Sequence, residues 1–239
     1  MGDIEPPMRP VALAFVALSV LVVGVASYFA FLPQSSGTIA FWVMAGGPTL
    51  VLAAVAAAWA KREDLLREWV TPRWGDFSRG VGGAILLFGV AWAMTHLATP
   101  VGSKREIWLV SLYGQIGDPR LLQQHAPAFG AAIVAVVVAE EVLWRGMVTQ
   151  LLADRVGSRT AWVWAAALYA LAYVPTAWSL RADAGAGAGL NPALPLAAFG
   201  GALLWGGMAR SFGRLTPSIL AHALFDWAVV MMFPLWGTR

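Results

Sequence analysis

Cysteine is absent from all 239 residues, which excludes disulfides and thiolate metal sites together. Charge is scarce as well, since only 12% of the chain is Asp, Glu, Lys or Arg, about half the share of an ordinary soluble domain. Histidine occurs three times, so every imidazole can be weighed individually. No internal repeat is visible, which counts against a transporter assembled from duplicated halves. What fills the chain instead is apolar: 59% of residues are hydrophobic, and the mean hydropathy is +0.68. The formal charge of +3 comes from basic residues scattered between apolar runs, without the patch a nucleic-acid partner needs.

Apolar segments recur near residues 11–32, 38–60, 79–99, 128–152, 159–178, 192–210 and 214–235, each close to the roughly 20 residues a helix needs to cross a bilayer. The fold class expected is all-α, a polytopic integral membrane bundle of about seven transmembrane helices forming a single membrane domain over 1–239. Lys104 to Ile116 sets Trp108, Leu109, Leu112 and Tyr113 beside charged neighbours and reads as a short interfacial helix, an eighth element. A shorter interfacial helix is expected near Asp64 to Val70. The first run, Val11 to Leu32, exceeds the ~7–15 apolar residues of a secretory signal, and Asp3 and Glu5 precede it, so it reads as a retained span.

Cytoplasmic loops collect Lys and Arg. With the amino terminus inside, Arg9, Lys61, Arg62, Arg67, Arg73, Arg79, Arg155, Arg159, Arg210 and Arg214 fall on the inner side, and Lys104, Arg105, Arg120, Arg181 and Arg239 on the outer, ten against five. That balance places the amino terminus in the cytoplasm. Several of the 13 Trp sit near predicted span ends and read as interfacial anchors first. Ala184 to Gly189 reads as a flexible loop, and Gly200, Gly201, Ala202, Gly206 and Gly207 as a surface for close helix packing.

Ionisable residues inside a span are costly, ~2.5–3.5 kcal/mol each on the insertion scale, and they mark function by default. The fourth segment holds three within six residues, Glu140, Glu141 and Arg145. Glu141 and Arg145 are four apart and can pair on one helical face. Glu140 lies about 100° round the helix and has no partner there, which makes it a candidate general base. A structural salt bridge accounts for the pair but leaves Glu140 over. The seventh segment adds His222 and Asp226, also on one face. Alone, that pair is as consistent with helix packing as with catalysis; beside Glu140 it completes the parts for activating water against a peptide bond.

Glu-Glu-x-x-x-Arg at Glu140, Glu141 and Arg145, followed by His-x-x-x-Asp at His222 and Asp226, resembles the first and last motifs of the CAAX-protease and bacteriocin-processing family. The stretch from Gly206 to Asp226, including Gly213-Arg-Leu-Thr-Pro-Ser-Ile-Leu-Ala-His222, resembles that family's last-motif region at matching spacing. The resemblance covers roughly residues 128–235, leaving 1–127 as variable amino-terminal spans. It implies Glu140 as the catalytic residue that activates water, His222 as the catalytic donor to the oxyanion, and Glu141, Arg145 and Asp226 as support. The family's middle motif, Phe-x-x-x-His, aligns with Tyr169-Ala-Leu-Ala-Tyr173, so a phenol stands in the imidazole's place. A phenol with a reference pKa near ~10 is no base at neutral pH, but its hydroxyl can hydrogen-bond a water or Glu140. Neither His96 nor His125 offers an evident replacement.

The function expected is an intramembrane endopeptidase that cleaves a membrane-anchored protein or peptide near its carboxyl terminus or at a leader. Its partners would be that substrate and the lipid bilayer, and its location a bacterial inner membrane. A pseudoprotease adaptor, suggested by Tyr173, and a small-solute transporter, suggested by the intramembrane acids, stand as alternatives. Glu140, Glu141 and His222 make a poor zinc set, so no metal and no cofactor is expected.

Overall fold

The computed structural model describes residues 10–181 and 189–235. Arg9 and Arg239 of the orientation argument lie outside the described residues, as do Asp3, Glu5 and most of the Ala184 to Gly189 loop. The protein is 82% helical, with no strand among the described residues, so it is all-α.

Among the described residues, eleven helices follow in chain order besides a 3-10 turn at Pro33–Ser35: α1 Pro10–Ala30, α2 Ile39–Arg62, α3 Leu66–Val70, α4 Asp76–Ala98, α5 Lys104–Ile116, α6 Pro119–Gln124, α7 Ala126–Val156, α8 Ala161–Tyr173, α9 Thr176–Ser179, α10 Ala193–Phe212 and α11 Thr216–Met232. Local sequence sets their ends. Thr38 and Ser103 accept hydrogen bonds from the backbone of Phe41 and Glu106 and cap α2 and α5. Gly213 stops α10 in the left-handed conformation (φ 65°), and Pro217 opens α11, where its missing N–H costs nothing.

α1, α2, α4 and α7 are each long and apolar enough to cross a membrane. The other three apolar segments are helical too, but the one expected over 159–178 is divided. α8 ends at Tyr173, and after Val174 and Pro175 the short α9 begins. Pro175 offers no N–H and crowds the preceding turn, which explains the break. α11 runs 17 residues and becomes π-helical from Ala228. The two short amphipathic segments are helical as well, as α5 and α3.

α4 packs along α11, α10 along α8, α1 between α2 and α8, and α2 along α7. Small residues allow the approach. A Cβ on Gly80 would lie 2.5 Å from Leu220, and one on Gly46 would lie 2.6 Å from Val136. In α10, Gly201 makes room for the ring of Trp205 and Gly206 faces Trp162, whereas Gly200 meets nothing. Leu21, Val51, Ile85, Leu97 and Leu196 are exposed, as side chains facing lipid should be. Trp69, Trp144 and Trp205, by contrast, are buried in the core and do not anchor.

At one end of the bundle, Asp76 at the head of α4 meets Arg214 just before α11. The guanidinium Nε donates to both carboxylate oxygens at 3.1 and 3.0 Å, and Nη2 donates as well. Leu215 N donates to the Trp69 carbonyl at 2.9 Å, tying the short α3 to the same end.

Candidate active site

α7 is α-helical through Glu140 and π-helical from Glu141 to Val148, and every residue of the π stretch is buried. π segments inside α-helices recur at functional sites, because the wider turn re-aims side chains. Here the change of pitch falls between the two adjacent glutamates.

Glu140 points to α8. Tyr169 Oη donates to its Oε2 at 2.9 Å, and Tyr173 Oη donates to its Oε1 at 2.7 Å. Both oxygens therefore hold a phenol, and each keeps a further lone pair with which to accept from a water. Glu141 points to α11 instead, with its Oε1 at 2.9 Å from His222 Nδ1 and 3.5 Å from Arg145 Nη1. The Arg145 guanidinium lies between two aromatic faces, 4.5 Å from the centre of the Tyr169 ring and 5.2 Å from that of Trp205. Such buried sandwiching of a cation is favourable, because the ring faces are negative.

His222 is the centre of the arrangement. Its Nε2 is 3.3 Å from Asp226 Oδ2 and 3.6 Å from Glu140 Oε2, while Trp205 stacks on the imidazole at 3.4 Å and 16°. Three carboxylates thus surround one imidazole. A neutral imidazole carries one N–H, so engaging a carboxyl group at each nitrogen takes one more proton, held either on the ring, which then donates twice, or on a neighbouring carboxyl, which then donates to the bare nitrogen. That proton is positioned for transfer.

Glu140, Tyr169, Tyr173, Trp205, His222 and Asp226 form one wall of a cavity of about 320 Å³, within the range of small-molecule sites. The remainder is mostly apolar and includes Phe31, Phe41, Trp42, Leu112, Ile133 and Val136. Tyr113 borders it from α5, donating to the Val229 carbonyl at 3.1 Å and accepting from Leu235 N at 3.0 Å. Burial pushes its hydroxyl up to about 12, so it stays a donor at any physiological pH.

The structure brings Glu140, Glu141, Arg145, Tyr173, His222 and Asp226 together from α7, α8 and α11. His96 is engaged elsewhere, stacked on Trp92 at 4.3 Å with Nδ1 2.9 Å from that residue's carbonyl. Among the described residues no three His, Asp or Glu side chains form a group suited to a metal ion. Two participants escape a reading of the sequence. Tyr169 stands where the resembled motif has Phe, and its hydroxyl was the available signal. Trp205 lies in α10, outside the motifs singled out.

Residues 122–228 match the family model described as type II CAAX prenyl endopeptidase Rce1-like, which spans all six residues of the cluster and bears out the resemblance. No curated protein and no solved structure matches the chain.

Proposed function

From the Rce1-like character of residues 122–228, we propose that this integral membrane protein is an endopeptidase whose glutamate activates water within the bilayer, cutting a membrane-anchored protein or peptide near its carboxyl terminus or at a leader. The observation that carries the reading is Glu140, buried at the wall of the cavity and 3.6 Å from His222. In the proposed reaction a water enters the cavity and hydrogen-bonds to Glu140. As the water oxygen attacks the scissile carbonyl carbon, its proton passes to Glu140. His222 donates to the oxyanion while Asp226 orients the ring. When the C–N bond breaks, the proton taken by Glu140 moves to the leaving amine, and water has been added across the peptide bond.

Tyr173 and Tyr169 hold the Glu140 carboxylate in place of the expected imidazole, fixing its orientation without acting as bases. Glu141 and Arg145 fix His222 from the other side. The proposed setting is a bacterial inner membrane with the amino terminus cytoplasmic, and residues 1–127 serve as the variable spans around a core of 128–235.

The test compares the termini of membrane proteins in cells carrying the wild-type chain or Glu140→Ala at equal abundance, read by mass spectrometry. Uncut precursors that accumulate only with the variant support the peptidase. Identical termini, with the variant still rescuing a deletion phenotype, would sink it and leave a non-catalytic adaptor.

A further inference from the structure

A second cavity, of about 210 Å³, is lined by Arg145 and by none of Glu140, Tyr173, His222 and Asp226. Tyr169 and Trp205, the two rings that sandwich the Arg145 guanidinium, line the first cavity together with Glu140 and His222, and Arg145 itself lines the second. Arg210 and Arg214 line this second cavity too, with Thr149, Gln150 and Ser158 as further polar groups and, among the described residues, no Asp or Glu.

The charges there are unevenly matched. Arg214 is paired with Asp76. Arg145 has Glu141 at 3.5 Å, but among the described residues neither of its terminal nitrogens finds a hydrogen-bond partner, although its side chain is only 4% exposed. Arg210 donates to the Arg159 carbonyl and has no carboxylate partner among the described residues. A buried guanidinium with unused donors is costly, because each N–H has given up water without replacement. Five N–H groups in a planar fork are best satisfied by an oxyanion with several acceptor oxygens. The surroundings favour the same class. The helix ends and loops at this end of the bundle carry Lys61, Arg62, Arg67, Arg73, Arg79, Arg155 and Arg159 besides Arg210 and Arg214, against Glu63, Asp64, Glu68, Asp76 and Asp154, a net positive balance that favours anions.

We infer that this cavity is a binding site for a phosphate group, held by Arg145 and Arg210 and carried either by an anionic phospholipid headgroup or by free phosphate. The phosphate oxygens take the hydrogen bonds that Arg145 leaves open, and its charge offsets Arg210. Gln150, exposed at the rim, offers a further donor.

The site is tested on the purified full chain in phosphate-free maltoside micelles by following its thermal unfolding midpoint. One arm adds inorganic phosphate against sodium chloride at constant ionic strength, and the other dopes the micelles with phosphatidylglycerol. The expected result is a saturable rise in midpoint for the wild type, about tenfold weaker in apparent affinity for Arg210→Gln and abolished for Gln150→Glu, which sets a carboxylate among the arginines. A rise with phosphatidylglycerol alone assigns the site to the headgroup; a rise with both assigns it to phosphate from either source. No rise with either probe, or equal rises in all three proteins, overturns the inference. Arg210→Gln removes no intramolecular ion pair and only an exposed hydrogen bond to the Arg159 carbonyl, so its unliganded midpoint should stay close to the wild type, and each protein is compared with its own unliganded midpoint.

Discussion

Replacing Arg145 by Met removes a buried charge while keeping most of the side chain's length. Its partners differ in where they come from. Glu141, at 3.5 Å, is on the same helix, so the pair survives when helices separate within the membrane and adds little to their association. Tyr169 and Trp205 belong to α8 and α10, and those contacts are lost on separation. Each desolvated cation–π contact is worth about 2 kcal/mol, so the variant should lose roughly 2–4 kcal/mol of helix-association free energy, a factor of about thirty to a thousand in the equilibrium constant. That exceeds the ~0.6 kcal/mol average for interhelical hydrogen bonds in a membrane. The assay is reversible unfolding in mixed micelles, run as a double-mutant cycle with Trp205→Leu. A coupling of ~1–2 kcal/mol is expected, as for residues in contact. The reasoning fails if Arg145→Met costs under ~1 kcal/mol, or if Glu141→Gln reproduces its whole effect while the cycle with Trp205 shows no coupling.

Tyr173→Phe deletes the donor 2.7 Å from Glu140 Oε1 and nothing else. A hydrogen bond to a charged group contributes ~1.5–3 kcal/mol to stability, so the unfolding midpoint should fall, and with Glu140 less firmly held peptide cleavage at a temperature where the variant is folded should slow by about tenfold; an unchanged rate would remove Tyr173 from the machinery. Gly80→Ala forces a Cβ to 2.5 Å from Leu220 and should cost ~1–3 kcal/mol by overpacking. Gly82→Ala, where a Cβ meets nothing within 4 Å, should be neutral or stabilising by up to ~1 kcal/mol through helix propensity. Equal unfolding midpoints for these two variants would contradict the close approach of α4 and α11.

The helical class was legible because hydrocarbon imposes a uniform demand, and the apolar run lengths report it directly. Glu140, Glu141, Arg145, His222 and Asp226 were legible for the complementary reason: an ionisable group in a span has to be explained. The break at Val174–Pro175 was written in the sequence but hidden inside an apolar average. What could not be read was which side chains approach the cluster from other helices. Trp205 counts as one more apolar aromatic until α10 is laid beside α11, and only then does it stack on His222. Asp76 and Arg214 were equally opaque, since an acid and an arginine 138 residues apart carry no periodic relation. The rings around Arg145 belong to the same category, being products of packing and not of pattern.

The π-helical stretch Glu141–Val148 also bears on how the gene can change. A π turn takes up about one residue more than an α turn over the same ladder of hydrogen bonds, so α7 is a helix carrying an insertion. Loss of one codon from this stretch would let the ladder close as ordinary α-helix. All residues before it would then turn by roughly 100° relative to Thr149–Val156. With Thr149–Val156 held, Val136 would leave Gly46 and Glu140 would leave both tyrosines, although no side chain of the cluster had been replaced. At this point in the reading frame, length is under tighter constraint than identity.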